Sequence, residues 1–157
     1  MKKYTSLEQS KKLMLLLPID TADMAYLYHI SSDNPTPRYD DVPPMILADV
    51  LIDELTCEAL PCWSVGALLD ILPNDIKKKD YVAKDLIDDS HNRYDVHISK
   101  FQFYDNITMY QILYGNCFTF SGKWKEMVSS KQSEDLIECI IDILVWMKKN
   151  DFVNYYE

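Results

Sequence analysis

The feature that most constrains the fold is an apolar stripe between residues 133 and 149. Ser133 stands before the stripe as the expected helix N-cap, acidic residues follow it, and Lys148 and Lys149 close the segment. This charge order suits the dipole of a helix. The spacing predicts an amphipathic helix whose apolar face must be covered by another element. The stripe consists of Leu136, Ile140, Ile143, Leu144 and Met147.

The segment before this helix is rich in aromatic and β-branched residues, which favour strands. Residues 93–104 and 107–114 predict two strands with a turn at Asp105–Asn106 between them. Gly115–Asn116 fits a two-residue type II′ turn and predicts a hairpin into a third strand at 117–122. The result is an antiparallel meander that can cover the C-terminal helix.

The predicted fold class is α+β: N-terminal helices, an antiparallel meander of three to four strands, and a C-terminal helix packed on the sheet. Residues 80–87 are the source of the fourth strand. The length of 157 residues fits one domain. We therefore predict a single domain over residues 1–157.

The N-terminal part predicts helices and short extended pieces. Thr5 and Glu8 have the spacing of a capping box, which predicts a helix from about 6 to 16, ended by Pro18. A turn of helix from Asp20 and a strand at 25–30 follow. Pro44 suits the first turn of a second helix, predicted over 44–56.

Residues 31–44 contain four prolines and three aspartates, so we predict an exposed Pro/Asp-rich loop without regular structure. Arg38 and Tyr39 lie between the two proline pairs. Both residue types are enriched in binding hot spots, which makes them candidate partner contacts. The alternative is a surface insertion without a role, as most long loops are.

Cys62 stands just before a predicted helix and is the candidate nucleophile of the chain. Ser64 is the expected N-cap, and Trp63 with Leu68 has the spacing of a hydrophobic staple. A nucleophile needs a base, and no histidine here carries a known signature. A free cysteine is also commonly a buried packing residue. We assign no catalytic residue, and Cys57 lies at the wrong spacing from Cys62 for paired zinc thiolates.

Residues 88–97 collect side chains that can bind a divalent metal. If 94–100 is a strand, its two ligand-type residues share one face. The alternative is a polar turn that enters a strand, and we assign no metal and no cofactor. The five side chains are Asp88, Asp89, His91, Asp95 and His97.

Aromatic side chains crowd the predicted meander. Core packing is their ordinary use, but alternation along a strand places some rings away from the helix, where they form a patch for another chain or a second copy. An RNA-stacking platform would need surrounding positive charge, which is missing. The rings belong to Tyr94, Phe101, Phe103, Tyr104, Tyr110, Tyr114, Phe118 and Phe120.

Acidic residues outnumber basic ones 25 to 16, which gives a net charge of −9. This balance argues against direct nucleic-acid binding and suits either simple solubility or an acidic surface for a basic partner. No apolar run is long enough to span a membrane. The four cysteines show no disulfide spacing, so we expect a cytoplasmic protein.

Three blocks resemble a group of short uncharacterised proteins from gut bacterial genomes and their phages and conjugative elements. They read "LEQSKKLMLLLPIDTADMAYLYH", "PCWSVGALLDILP" and "DLIECIIDILVWMKKNDFV", in the same order as in that group. The resemblance implies a small intracellular protein of an accessory or mobile gene set. It implies no established activity and no site residues.

The function expected from these features is a non-enzymatic protein-interaction protein, with another protein or a second copy as its partner. One alternative is an acidic decoy that occupies a basic nucleic-acid-binding site. A small metal- or thiol-dependent enzyme is the other.

Overall fold

A computed structural model of the chain confirms the α+β class, with helices and antiparallel sheets. Its contacts divide into two compact units, residues 2–71 and 72–157. The single domain predicted over 1–157 stays a prediction. The structure describes residues 2–27, 29–31, 34–38, 43–46, 59–77, 93–103, 106–116, 125–150 and 152.

The N-terminal unit combines two helices with short strands. Helix α1 packs on strand β5, and the strand order of the larger sheet is β4-β1-β5, all antiparallel, while β2 and β3 pair separately. The elements are α1 (Leu7–Leu13), a 3-10 turn (Ile19–Thr21), β1 (Met24–Tyr26), β2 (His29–Ser31), β3 (Asn34–Arg38), β4 (Met45–Ile46), β5 (Leu60–Cys62) and α2 (Val65–Ile71).

The first helix is confirmed, but its predicted cap is wrong by one residue. Ser6 is the N-cap and Gln9 completes the capping box, whereas the prediction used Thr5 and Glu8. Thr5 is fully buried, so its hydroxyl serves the interior of the unit instead of the helix end. The helical turn expected from Asp20 is confirmed by the 3-10 turn.

Two predictions between residues 25 and 56 are wrong. Part of the predicted loop 31–44 is regular structure, because Asn34–Arg38 forms strand β3. In a two-stranded sheet each strand has an outer edge, where a proline without an N–H is tolerated. Met45–Ile46 is a strand paired with β1, although a helix was predicted from Pro44. The rest of that predicted helix, 47–56, lies outside the described residues.

The single strand predicted at 25–30 is divided between β1 and β2, with Leu27 outside both. The cap of the next helix is confirmed, because the Ser64 hydroxyl accepts the Ala67 N–H at 3.1 Å. Trp63 and Leu68, the expected staple pair, are both fully buried.

The C-terminal unit is a four-stranded antiparallel sheet with one long helix. The sheet order is β6-β7-β8-β9, and α3 packs on β8. The elements are β6 (Asp75–Lys77), β7 (Arg93–Gln102), β8 (Thr108–Asn116), β9 (Lys125–Ser129) and α3 (Leu136–Lys149).

The β7–β8 hairpin is confirmed, and Asn106 adopts the left-handed conformation with φ of 58° that its turn requires. The second predicted turn is wrong, because β8 continues through Gly115–Asn116 and carries a register shift there. Glycine is favoured in β-bulges as well as in tight turns, so the same residue suits either structure. The third meander strand is therefore 125–129, and the predicted 117–122 lies outside the described residues, as does 80–87.

The C-terminal helix is confirmed, with its cap two residues later than predicted. Asp135 is the N-cap, and its carboxylate accepts the Ile137 N–H at 3.1 Å. Ser133 instead bridges to Tyr110 of β8. All five residues of the predicted stripe are buried, and the thiol of Cys139 donates to the Tyr110 carbonyl at 3.3 Å.

Candidate interaction surface

Cys62 belongs to a buried hydrogen-bonded cluster centred on Thr5. The Thr5 hydroxyl donates to the Cys62 thiol at 3.4 Å, accepts the Trp63 N–H at 3.1 Å and lies 2.7 Å from the Ser10 hydroxyl. The Tyr26 hydroxyl donates to the Thr5 carbonyl at 2.6 Å. These bonds join α1 to β1 and β5, so the cluster holds the N-terminal unit together.

The environment of Cys62 is opposite to that of a reactive thiol. Burial raises the pKa of Cys62, and the hydrogen bond from Thr5 only partly opposes this effect. A nucleophilic cysteine instead requires a lowered pKa and a base. The hydrogen bonds of the thiol to Thr5 involve a hydroxyl and a carbonyl, neither of which takes up a thiol proton at neutral pH. The charge of the Asp23 carboxylate raises the pKa of Cys62 further.

We expect the thiol of Cys62 to react slowly with iodoacetamide in the folded protein. In a Cys57→Ser, Cys117→Ser background, alkylation should be about a hundredfold slower than in the unfolded chain, because reaction must wait for opening. The rate of alkylation of Cys62 should still increase as the pH rises beyond 9.0, the ordinary thiol pKa, because the pKa of the buried thiol is raised. Mass spectrometry of the Cys62 peptide measures both. A fast reaction that levels off near neutral pH would contradict the structural role.

The metal-ligand candidates are only partly placed. The predicted strand is confirmed, and Asp95 and His97 lie on one face of β7, opposite Gly115 and Leu113 of β8. Asp88, Asp89 and His91 lie outside the described residues. Within the described residues, no three His, Cys, Asp or Glu side chains come together as a metal site.

The predicted partner contact at Arg38 and Tyr39 is also partly placed. Arg38 is the last residue of β3 and pairs with His29. Tyr39 lies outside the described residues. This contact therefore stays a prediction.

The aromatic positions of the sheet divide between its two faces, as the sequence predicts. Tyr110 and Tyr114 lie on the face of β8 that α3 covers, and both are buried. Phe101 and Phe103 alternate onto the opposite face, where they are 37% and 49% exposed.

The opposite face of the hairpin end forms an apolar surface, which we call the hairpin patch: Phe101, Phe103, Ile107 and Met109. Phe101 pairs with Met109 across the hairpin. The Phe103 N–H donates to the Ile107 carbonyl at 3.0 Å, so these two residues also lie directly opposite each other in the hairpin. Ile107 is 40% exposed. Four apolar side chains thus occupy neighbouring positions on a surface that α3 does not cover.

Beside the hairpin patch, β7 has an open edge, formed by Ile98, Lys100 and Gln102. Along β7, the backbone groups of successive residues point alternately towards β8 and away from it. The Phe103 N–H points towards β8, because it donates to the Ile107 carbonyl, and the Val96 N–H points away, because it donates to the Asn74 carbonyl. The N–H and C=O groups of the three edge residues therefore point away from β8. No strand within the described residues pairs with them, and all three side chains are exposed.

The hairpin is also locally neutral in a strongly acidic chain. Residues 97–111 contain one lysine, Lys100, and one aspartate, Asp105, whereas the whole chain carries a net charge of −9. Cores of protein interfaces are depleted of charged residues and enriched in aromatic ones. The hairpin patch and the open edge together have this composition.

Comparisons with known proteins give no relative of this chain. No protein-family model matches the chain, and neither a curated protein nor a solved structure is similar to it. The resemblance to gut bacterial and phage proteins stays a prediction. None of the described helices combines the length and apolarity needed to cross a membrane.

Proposed function

We propose that this chain is a non-enzymatic protein-interaction protein that binds another polypeptide through the hairpin patch and the open edge of β7. One observation carries the proposal: Phe101 and Phe103 are substantially exposed beside a strand edge whose hydrogen-bonding groups face outward. Aromatic side chains are frequent binding anchors, and an open edge is a template for an added strand.

The two parts of the surface supply different components of recognition. Main-chain hydrogen bonds along Ile98, Lys100 and Gln102 would give affinity with little dependence on the partner's sequence. Phe101 and Phe103 would give selectivity, because each ring needs a complementary apolar contact. The burial of Cys62 supports a non-enzymatic role, because this residue was the strongest catalytic candidate in the sequence.

We expect the double substitution Phe101→Ser, Phe103→Ser to abolish partner capture in a pull-down at physiological salt. Both side chains are exposed, so the free energy of unfolding should change by about 1 kcal/mol or less per site. Urea denaturation checks that the variant is folded, and mass spectrometry of the captured proteins measures binding.

A matched control removes exposed apolar surface elsewhere. Leu15 and Ile19 are 75% and 63% exposed, and Leu15→Ser with Ile19→Ser should leave capture unchanged. A second arm, Arg38→Ala with Tyr39→Ala, tests the contact predicted from the sequence. If this pair abolishes capture while the phenylalanine pair does not, the binding surface lies at residues 31–44. Failure of the native protein to capture any polypeptide would contradict the proposal.

A further inference from the structure

We infer that the polypeptide bound at this surface is a second copy of the same chain, paired antiparallel along the open edge of β7 with Phe101 at the two-fold axis. The inference rests on the proposed function, since it names the partner of the same surface. It is carried by the self-complementarity of the edge, which is a property of its residue order and of its hydrogen-bond alternation.

A two-fold axis restricts how two copies of β7 can pair. Edge groups point outward only at alternate residues, namely Ile98, Lys100 and Gln102, so these must face one another across the axis. Centring the pairing on Lys100 would place like charges directly opposite, which is unfavourable. Centring it on Ser99 would place Gln102 opposite Val96, whose N–H already donates to Asn74.

Centring the pairing on Phe101 avoids both conflicts. Lys100 then lies opposite Gln102 of the partner subunit, and Gln102 lies opposite Lys100 of the partner subunit. All four residues use backbone groups that point outward. Phe101 lies directly opposite Phe101 of the partner subunit, on the face away from α3.

This register also joins the two hairpin patches. Phe103 of each copy lies one position further along the same face. Behind the two rings stand Met109 of β8 and Ile107, which directly precedes β8. The paired sheets therefore share one continuous apolar strip. Offset or edge-to-face contact between the phenylalanines adds to the burial of this surface.

The local charge of this segment suits contact between two copies. Each chain carries a net charge of −9, so two copies repel one another in general. The neutral segment 97–111 contains a single acidic residue, so it lets them approach with little acidic charge at the interface. Salt screens the remaining repulsion, so dimerisation should become tighter as ionic strength rises.

Cysteine cross-linking tests the register directly. Residues opposite each other in a non-hydrogen-bonded antiparallel pair have Cα atoms about 4.5 Å apart, which a disulfide can span. Phe101→Cys in the Cys57→Ser, Cys117→Ser background should form a disulfide-linked dimer in a glutathione redox buffer, where oxidised glutathione accepts the two thiol electrons. Phe103→Cys alone should not, because its counterpart lies about 13 Å away. Mixing the Ser99→Cys and Phe103→Cys variants should restore cross-linking.

A charge test at Gln102 gives a readout that does not depend on a new thiol. By sedimentation, Gln102→Lys should weaken dimerisation about tenfold, since the two-fold axis creates two like-charge pairs. Adding Lys100→Glu should restore it, because each pair then has opposite charges. A single exposed substitution of this kind leaves the core intact, and circular dichroism verifies folding.

The outcomes separate this inference from the proposed function. A dimer cross-linked through Phe101→Cys and weakened by Gln102→Lys supports both. A chain that sediments as a monomer, yet loses capture of another protein in the Phe101→Ser, Phe103→Ser variant, overturns self-pairing and leaves the proposed function standing. A monomer that captures nothing overturns both. A dimer that cross-links through Phe103→Cys alone overturns the register.

Discussion

Replacing Ile140 with alanine is expected to lower the free energy of unfolding by about 2–5 kcal/mol. Ile140 is fully buried, and it belongs to α3, the helix that packs on β8. Removing three carbons from this position takes apolar surface out of the core and leaves a cavity that the surrounding residues fill only partly. Urea denaturation followed by circular dichroism measures the change.

The matched control is Ile19→Ala, because the isoleucine side chain at this position is 63% exposed. This substitution should change the free energy of unfolding by about 0.5 kcal/mol or less. Equal losses at the two positions would contradict the placement of α3 on the sheet.

Replacing Thr5 with valine is expected to lower the free energy of unfolding by about 2–3 kcal/mol, although the side chain keeps its shape. The hydroxyl accepts the Trp63 N–H, and without it this buried donor has lost its partner. The bonds to Ser10 and Cys62 disappear as well. Removing one member of a buried polar cluster leaves the others desolvated, and this accounts for most of the loss.

Thr108→Val is the control for the hydroxyl, because Thr108 is only half-buried and lies in a strand, where valine is favoured. Its effect should lie within about 0.5 kcal/mol of zero. A similarly small effect at Thr5 would show that the cluster does not hold the N-terminal unit together.

The same two destabilising substitutions test the predicted single domain, because Thr5 and Ile140 lie in different compact units. If the chain unfolds as one domain, each substitution shifts one common transition. Two transitions, each shifted by only one of the substitutions, would show two domains.

The sequence predicts best where a long, regular pattern leaves few alternatives. The apolar stripe of α3 repeats over more than three turns, and only a helix places all of it on one side. The β7–β8 hairpin combines two β-rich segments with a turn residue, Asn106, that accepts positive φ. Both elements agree with the prediction.

Predictions fail where one local pattern suits two structures. Thr5 and Ser6 are adjacent hydroxyls, and either can cap α1; Trp63, brought near by the fold, gives Thr5 another role. Gly115 suits a hairpin turn or a bulge, and pairing with β9 decides between them. Prolines in 34–38 exclude a central strand but permit an edge strand, and an edge is not visible in the sequence.

The candidate surface was predictable only in part. Alternation predicts that some aromatic rings face away from the helix, and Phe101 and Phe103 do so. The open edge depends on tertiary structure. Among the residues that the structure describes, β6 pairs with β7 only at 93–95, and the Asn74 carbonyl accepts the next N–H, that of Val96. No spacing of residue types in the sequence shows where a neighbouring strand stops.

Amide hydrogen exchange along β7, followed by nuclear magnetic resonance, tests the role of this edge most directly. In dilute protein, the N–H groups of Ile98, Lys100 and Gln102 should exchange rapidly, while those of Phe101 and Phe103, which face β8, should exchange slowly. Once the partner is bound, or the protein is concentrated enough to pair with itself, the three edge amides should become protected. Rapid exchange at all three in a demonstrably formed complex would contradict binding through the open edge of β7.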